Sequence, residues 1–285
     1  MSPFYGLVIT YQYYHLTNSY QICVMKLKLY QVDAFTEKIF GGNPAAVCPL
    51  ENWLPDSVLQ NIAMENNLAE TAFYIQHKGE YHLRWFTPVL EVDLCGHATL
   101  ATAHVMFNHE GFTGNKISFQ SRSGILSVEK SGDLLTLDFP VDEIAEIPLT
   151  AELGEGFNIK PIAALKGKTD HVLVFSSEAD IRNLEPDFRT IAKLHGRGII
   201  VTAKGKEVDF VSRFFAPQAG IDEDPVTGSV HTTLTPYWAK VLGKTELSAL
   251  QLSKRQGALQ CKLEGNRVLI SGYTRTYLVG EIFVD

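Results

Sequence analysis

Cysteine is scarce in this chain and scattered. Its 285 residues include four, Cys23, Cys48, Cys95 and Cys261, with no C-x-x-C pair. That leaves no disulfide framework or zinc-type ligand set and fits the reduced thiols of a cytoplasmic protein. Positive charge is also short: 25 Lys and Arg face 32 Asp and Glu, for a net charge of −7. With no basic stripe either, nucleic acid is excluded as a main partner. The apolar run at residues 4–9 is far too short to span a bilayer, so no membrane partner is expected. The Gly41-Gly42-Asn43-Pro44 turn lacks the Lys-Ser/Thr of a P-loop and the spacing of a dinucleotide fingerprint, so no nucleotide is expected. No His, Asp and Glu set has metal-ligand spacing, so neither metal nor cofactor is expected. Ser229, His97 and Asp224 could compose a hydrolase triad, but Gly228-Ser229 lacks the G-x-S-x-G elbow.

Residues 1–24 hold five tyrosines (Tyr5, Tyr11, Tyr13, Tyr14 and Tyr20) and no Lys or Arg, which does not fit a secretory signal. Strand-like sequence begins at Met25-Lys26-Leu27-Lys28. The first 24 residues are therefore expected to lie outside the fold, from a start codon placed upstream; an extra strand or arm is the alternative.

What the chain does have is the same half twice. Arg84-Trp85-Phe86-Thr87-Pro88 is followed by Cys95-Gly96-His97-Ala98-Thr99, and Arg213-Phe214-Phe215-Ala216-Pro217 by Thr227-Gly228-Ser229-Val230-His231. Gly124 and Gly257 follow as a third pair, and the three offsets are 129, 132 and 133 residues. Such drift is what loop-length changes between two copies give. The division is placed near 140–161, where few apolar positions repeat: an N-terminal lobe over 25–140 and a C-terminal lobe over 141–285, with the active site in the cleft between them.

In the first half, residues 28–32, 45–48, 71–76 and 81–86 read as strands and 56–66 as an amphipathic helix with Asp56 able to cap it. Residues 96–108 are apolar on almost every face, the mark of a helix buried inside its lobe. Strands at 117–120, 124–128 and 134–139 follow. The second half repeats this order around a helix from Gly228 towards Leu242. The expected architecture is α+β: two similar lobes, each a mostly antiparallel sheet around one central helix.

Each half puts a Gly turn at the start of its central helix. The amides after Gly96 and Gly228 would point at a shared cleft and make a two-sided anion site for a small carboxylate. His97 could donate to that anion or shuttle a proton; it could equally be a helix cap. Cys95 could serve as a thiolate, since helix N-termini favour one, or simply be a small buried residue. Asp224 precedes Pro225, which biases its backbone to an extended shape; its side chain then faces the cleft or belongs to a capping turn. Glu70 enters an apolar strand between Leu68 and Phe73. A partly buried carboxylate there suits general-base work, whereas an edge-strand surface residue needs no function.

Taken in order, Asp33-Ala34-Phe35-Thr36, Gly42-Asn43-Pro44-Ala45-Ala46-Val47, Glu70-Thr71-Ala72-Phe73, Arg84-Trp85-Phe86-Thr87-Pro88, Cys95-Gly96-His97-Ala98-Thr99, Asp224-Pro225-Val226-Thr227-Gly228-Ser229 and Gln251-Leu252-Ser253-Lys254-Arg255 resemble the motifs of the phenazine-biosynthesis PhzF-like isomerase family. The resemblance runs from about residue 26 to the C-terminus. It implies a fold like that of diaminopimelate epimerase, with two similar barrel-like lobes. It also implies that Glu70 is the acid/base, that His97, Asp224 and Ser229 line the substrate site, and that the reaction moves a proton between carbons without metal or cofactor. Homodimers are common in that family. One departure stands out: the family often has Arg-Gly-Gly where this chain has Arg255-Gln256-Gly257, which bears on the substrate more than on the fold. The alternatives are an amino-acid racemase or epimerase using Cys95, and a non-catalytic metabolite-binding protein. The racemase needs a thiol on both sides of the substrate, and the position matching Cys95 is Thr227.

Overall fold

The computed structural model describes residues 25–285; the reading of residues 1–24 lies outside them. Both lobes are built from one sheet plan, used twice. In the first, Met25–Ala34 pairs antiparallel with Asn43–Leu50, which runs parallel to Glu70–His77. Glu70–His77 pairs antiparallel with Glu80–Phe86, and that strand runs parallel to Lys116–Ser121. Gly124–Ser131 and Leu134–Pro140 complete the series as antiparallel neighbours.

The second lobe repeats every step. Ala163–Lys166 pairs antiparallel with His171–Val174, which runs parallel to Ile199–Lys204. Ile199–Lys204 pairs antiparallel with Phe210–Phe215, which runs parallel to Glu246–Gln251. Gly257–Glu264 and Arg267–Gly272 follow antiparallel. Leu134–Pro140 and Arg267–Gly272, the matching last strands of the two series, pair with each other and join the lobes.

The strand after each series goes to the first strand of a lobe. Ala145–Ile147 pairs with Ala163–Lys166, and Thr274–Val284 crosses back to pair with Met25–Ala34, with a bulge at Gln31/Val32. The C-terminal strand therefore completes the sheet of the first lobe.

Inside each sheet runs one helix. Gly96–Asn108 buries residues on all sides, among them His97, Leu100, Ala103 and Met106, as its uniform apolar composition requires. Gly228–Leu242 is its counterpart, with Val230, Leu234 and Trp238 buried. A single core cluster contains residues of both helices. Shorter helices cover the outside: Leu59, Ile62 and Ala63 of the Asp56–Asn66 helix pack on Cys48, Phe73 and Phe86, while Ile181 and Ile191 pack on Phe175 and Phe215. The expected Asp56 cap is not formed. Pro55 holds the N-cap position, and the Asp56 carboxylate accepts from Arg84 Nη2 at 2.9 Å.

The duplication extends to side-chain detail. Arg84 holds Glu91 through Nε and Nη2, each at 2.7 Å, and lies 5.1 Å over the Phe86 ring. Arg213 holds Glu223 through the same two nitrogens, at 2.7 and 3.0 Å, and lies 4.9 Å over Phe215. The shared Arg-x-Phe sequence thus encodes one planar clamp per lobe.

Candidate active site between two helix N-termini

The two central helices meet at their first residues. A Cβ added to Gly96 would stand 3.5 Å from the Gly228 Cα, and the converse addition gives the same distance. With no side chains between them, the helix ends come together and present two sets of amide donors. Gly96, His97, Gly228 and Ser229 are therefore brought to one place.

Around this point four strand and turn segments deliver polar groups. Glu70 opens its strand, and its Oε2 lies 3.1 Å from His97 Nε2. Glu70 and His97 side chains are 12% and 5% exposed. The pair is close without the alignment of a hydrogen bond, and both atoms are buried without a hydrogen-bond partner. His97 Nδ1 lies 3.5 Å from Cys95 Sγ and 3.2 Å from Asn43 Nδ2. Asn43 Nδ2 also donates to Asp224 Oδ1 at 2.7 Å and to the Val226 carbonyl at 2.9 Å, while its Oδ1 is buried and unpaired. Asp224 further accepts from Thr227 Oγ1. Glu70, Cys95, His97 and Asp224, each picked from sequence, thus belong to one buried cluster.

Burial shapes the protonation of that cluster. It pushes the Asp224 carboxyl up to about 6; His97 pulls the other way, and the Glu70 carboxylate adds to the rise. Burial also disfavours an imidazolium at His97, but the Glu70 carboxylate 3.1 Å away favours it, and the His97 pKa lies well above 6.5. Burial pushes the Cys95 thiol itself up to about 11, so Cys95 is a neutral thiol at neutral pH. The thiolate expected from a helix N-terminus is overridden by desolvation, which counts against Cys95 as a base. Glu70, Cys95 and His97 place one potential ligand atom each within 4.8 Å of one another and form a three-donor group by distance.

Ser229 is bound to a neighbour. Its Oγ accepts from Arg197 Nη1 at 3.0 Å, so the hydroxyl is engaged with the second lobe's loop. Three supporting residues stand in the quoted motifs with no role of their own assigned there. Asn43 had been read as part of a turn; its backbone position depends on Gly42, whose φ of +60° and close approach to the Ala34 carbonyl admit only glycine. Gln251, fully buried, donates to the Asp224 carbonyl and accepts from Thr227 N, both at 2.9 Å, fixing the acidic turn. Arg255 ties the lobes together: it donates to Asp33 Oδ1 at 2.7 Å and to the carbonyls of Gly41 and Gly42.

The two walls of the site are not equivalent. Thr71 pairs with Phe86, and Ile199 with Phe215. Superposing the matching Phe86 and Phe215 sets Thr71 on Ile199, Glu70 on Gly198 and Ala69 on Arg197. Where the first wall carries a carboxylate, the second carries none. A Cβ at Gly198 would stand 2.5 Å from the Phe214 ring and 2.7 Å from the Phe215 carbonyl, so no side chain fits there. A cavity of about 940 Å³, lined by residues including Lys28, Leu54, Tyr74, Tyr81, Glu110 and Phe112, opens at the other end of the first lobe and holds none of these groups.

Comparison with known proteins gives the following. The family model described as phenazine biosynthesis-like protein, PhzC-PhzF, matches residues 32–280. An uncharacterized isomerase of Pseudomonas aeruginosa is 49% identical over 259 residues, covering 90% of this chain and 99% of that protein. The crystal structure of a PhzF-family phenazine biosynthesis protein of Enterococcus faecalis is 48% identical with a TM-score of 0.89, covering 91% of this chain and 100% of that one. A hydroxyproline epimerase of Agrobacterium vitis, with trans-4-hydroxy-L-proline bound, has a TM-score of 0.60 at 8% identity, covers 91% of this chain and 93% of that one, and shares the fold alone.

Proposed function

The chain belongs to the phenazine biosynthesis-like PhzC-PhzF family, and on that basis we propose that it is an isomerase that moves a proton between carbons of a small carboxylate substrate, with Glu70 as general acid/base. The observation that carries this reading is the pair Glu70 Oε2 and His97 Nε2, 3.1 Å apart, buried and without hydrogen-bond partners, beside two helix N-termini. Beyond the charge of His97, Glu70 Oε2 has no aligned hydrogen-bond donor among the described residues, which leaves it open to a ligand.

In the step envisaged, the substrate carboxylate rests against the amides after Gly96 and Gly228. The Glu70 carboxylate takes a proton from one carbon; the O–H bond forms as the C–H bond breaks. The released electron pair spreads towards the carboxylate, where the amide donors and the His97 imidazolium stabilise it. Glu70 then returns the same proton to a second carbon. Asp224 orients an amino or hydroxyl substituent. The reading assigns no metal or cofactor and takes the protein as a cytoplasmic homodimer with lobes at 25–140 and 141–285, the last strand completing the first lobe's sheet.

Solvent-proton exchange tests it. A cyclic unsaturated carboxylate incubated in deuterium oxide should exchange or migrate a carbon-bound proton with wild-type protein. Glu70→Gln should lose that activity while keeping its affinity for the ligand. Near-normal turnover in the variant would remove Glu70 from the role.

Among the alternatives, the two-base racemase is disfavoured by two features. Thr227 stands opposite Cys95, and Gly198 stands opposite Glu70. Deuterium incorporation at an α-carbon with inversion would restore it. The non-catalytic binding protein would show unaltered partner affinity after Glu70 and His97 are both replaced by Ala.

A further inference from the structure

The wall that lacks a base carries a fixed cation one residue away. Arg197 lies one residue before Gly198, the position matching Glu70. Its Nε and Nη2 grip the two oxygens of Asp170, which is 1% exposed. Its guanidinium lies 5.1 Å over the Phe214 ring, and its Nη1 donates to Ser229 Oγ at 3.0 Å. Gly196, at φ +121°, makes the turn, and Arg197 N donates to the Thr169 carbonyl at 2.9 Å. The head group is thus held by a buried carboxylate, an aromatic face and the first turn of the second central helix.

Held this way, it is not used up. A guanidinium has five N–H donors, and three of them are engaged. Among the described residues the other two, one on each terminal nitrogen, have no partner, and the side chain remains 38% exposed. Ser229 follows Gly228, so these donors lie one side chain from the meeting point of the helix ends. Independent signs of a ligand at that point are the buried, unpaired Asn43 Oδ1, Glu70 Oε2 and His97 Nε2.

We infer that Arg197 is an anion-binding residue of the site: its two open N–H groups take the substrate's carboxylate from the second lobe, and Asp170 and Ser229 position it. The inference rests on the proposed reading of a small carboxylate substrate and deepens it. One wall holds the anion and the opposite wall moves the proton. The sites selected for are then carboxylates whose exchangeable C–H lies on the face towards Glu70. Neutral amides of the same shape bind more weakly, because they offer the guanidinium no charge.

The test is calorimetric titration of three acids (benzoate, 3-hydroxyanthranilate and proline) and their carboxamides into wild-type protein, Arg197→Gln and Glu70→Gln. A second variant, Asp170→Asn with Arg197→Gln, removes both charges and leaves no lone buried carboxylate, so misfolding cannot mimic the result. At least one acid should bind wild type and lose about tenfold to a hundredfold in affinity in both Arg197 variants, the worth of charged hydrogen bonds. Amide affinity should be unchanged. An acid that binds wild type and the Arg197 variants equally overturns the role of Arg197 and leaves the helix amides as the anion site. If no acid binds wild type, the anion site itself is refuted. Loss of binding in the Arg197 variants together with full proton exchange in Glu70→Gln would uphold Arg197 and refute the proposed function.

Discussion

Gly198→Ala isolates the reason that only one wall of the site can bear a base. The added methyl would sit 2.5 and 2.6 Å from two carbons of the Phe214 ring and 2.7 Å from the Phe215 carbonyl. Neither neighbour has room to yield. Phe215 is paired backbone to backbone with Ile199, and the Phe214 ring is 4% exposed beneath Arg197. Overpacking of this kind costs about 1–3 kcal/mol, and backbone involvement puts this case near the upper end. At about 2–4 °C per kcal/mol for a chain of this class, the melting temperature should fall by roughly 5–10 °C. Gly228→Ala is the matched control. Its methyl would meet Gly96 Cα at 3.5 Å and Phe35 at 3.8 Å, which is ordinary contact, so its melting temperature should stay within about 2 °C of wild type. Differential scanning fluorimetry of the three proteins at one pH reads both. If Gly198→Ala melts with wild type, the second wall can accept a side chain, and steric exclusion is not what makes the site one-sided.

Other measurements bear on the cluster. Replacing Glu70 by Gln should lower the His97 pKa, because the carboxylate that favours the imidazolium is gone; histidine ring titration by NMR checks it, and an unchanged midpoint would show the two are not coupled. Asp224 has a folded pKa raised by burial to about 6. Its contribution to stability is therefore fully present below the unfolded value near 3.8 and is lost as pH rises through about 6. Relative to wild type, Asp224→Asn should gain stability in denaturant titrations at pH 7 and lose that advantage by pH 4. Cys95→Ser should keep most proton-exchange activity, since burial keeps the thiol protonated at neutral pH; a loss of activity beyond about a hundredfold, as for a general base, would return Cys95 to the chemistry. Dialysis against a chelator should leave exchange rates unchanged.

Much of this architecture can be read from the chain because the repeat is carried by short, local signals. A Gly turn ahead of an all-apolar helix, and an Arg-x-Phe strand before it, mark the same two elements in each half. Glu70, His97 and Asp224 stand out because each is a charged or polar group inside an apolar or turn-like run. The residues that stay hidden act on partners far away in sequence. Gln251 ends a strand whose alternation gives no hint that its amide reaches Asp224 and Thr227. Asn43 looks like a turn residue until Asp224, 181 residues away, is seen to accept from it. The parallel pairings, such as Asn43–Leu50 beside Glu70–His77, are likewise set by crossover connections that local periodicity does not record.

The return of Thr274–Val284 to Met25–Ala34 has a consequence for how the protein is made. Met25 pairs with Val284, so among the described residues the first strand waits for the last. Until Thr274–Val284 has left the ribosome, the first lobe has its central helix and its other strands but keeps one side of Met25–Ala34 open, a template for mispairing. The second lobe has its whole sheet plan by Gly272. Closing the first lobe is thus a contact of extreme sequence separation, which folds slowly. The N-terminal lobe, first to emerge, should be the last to become stable.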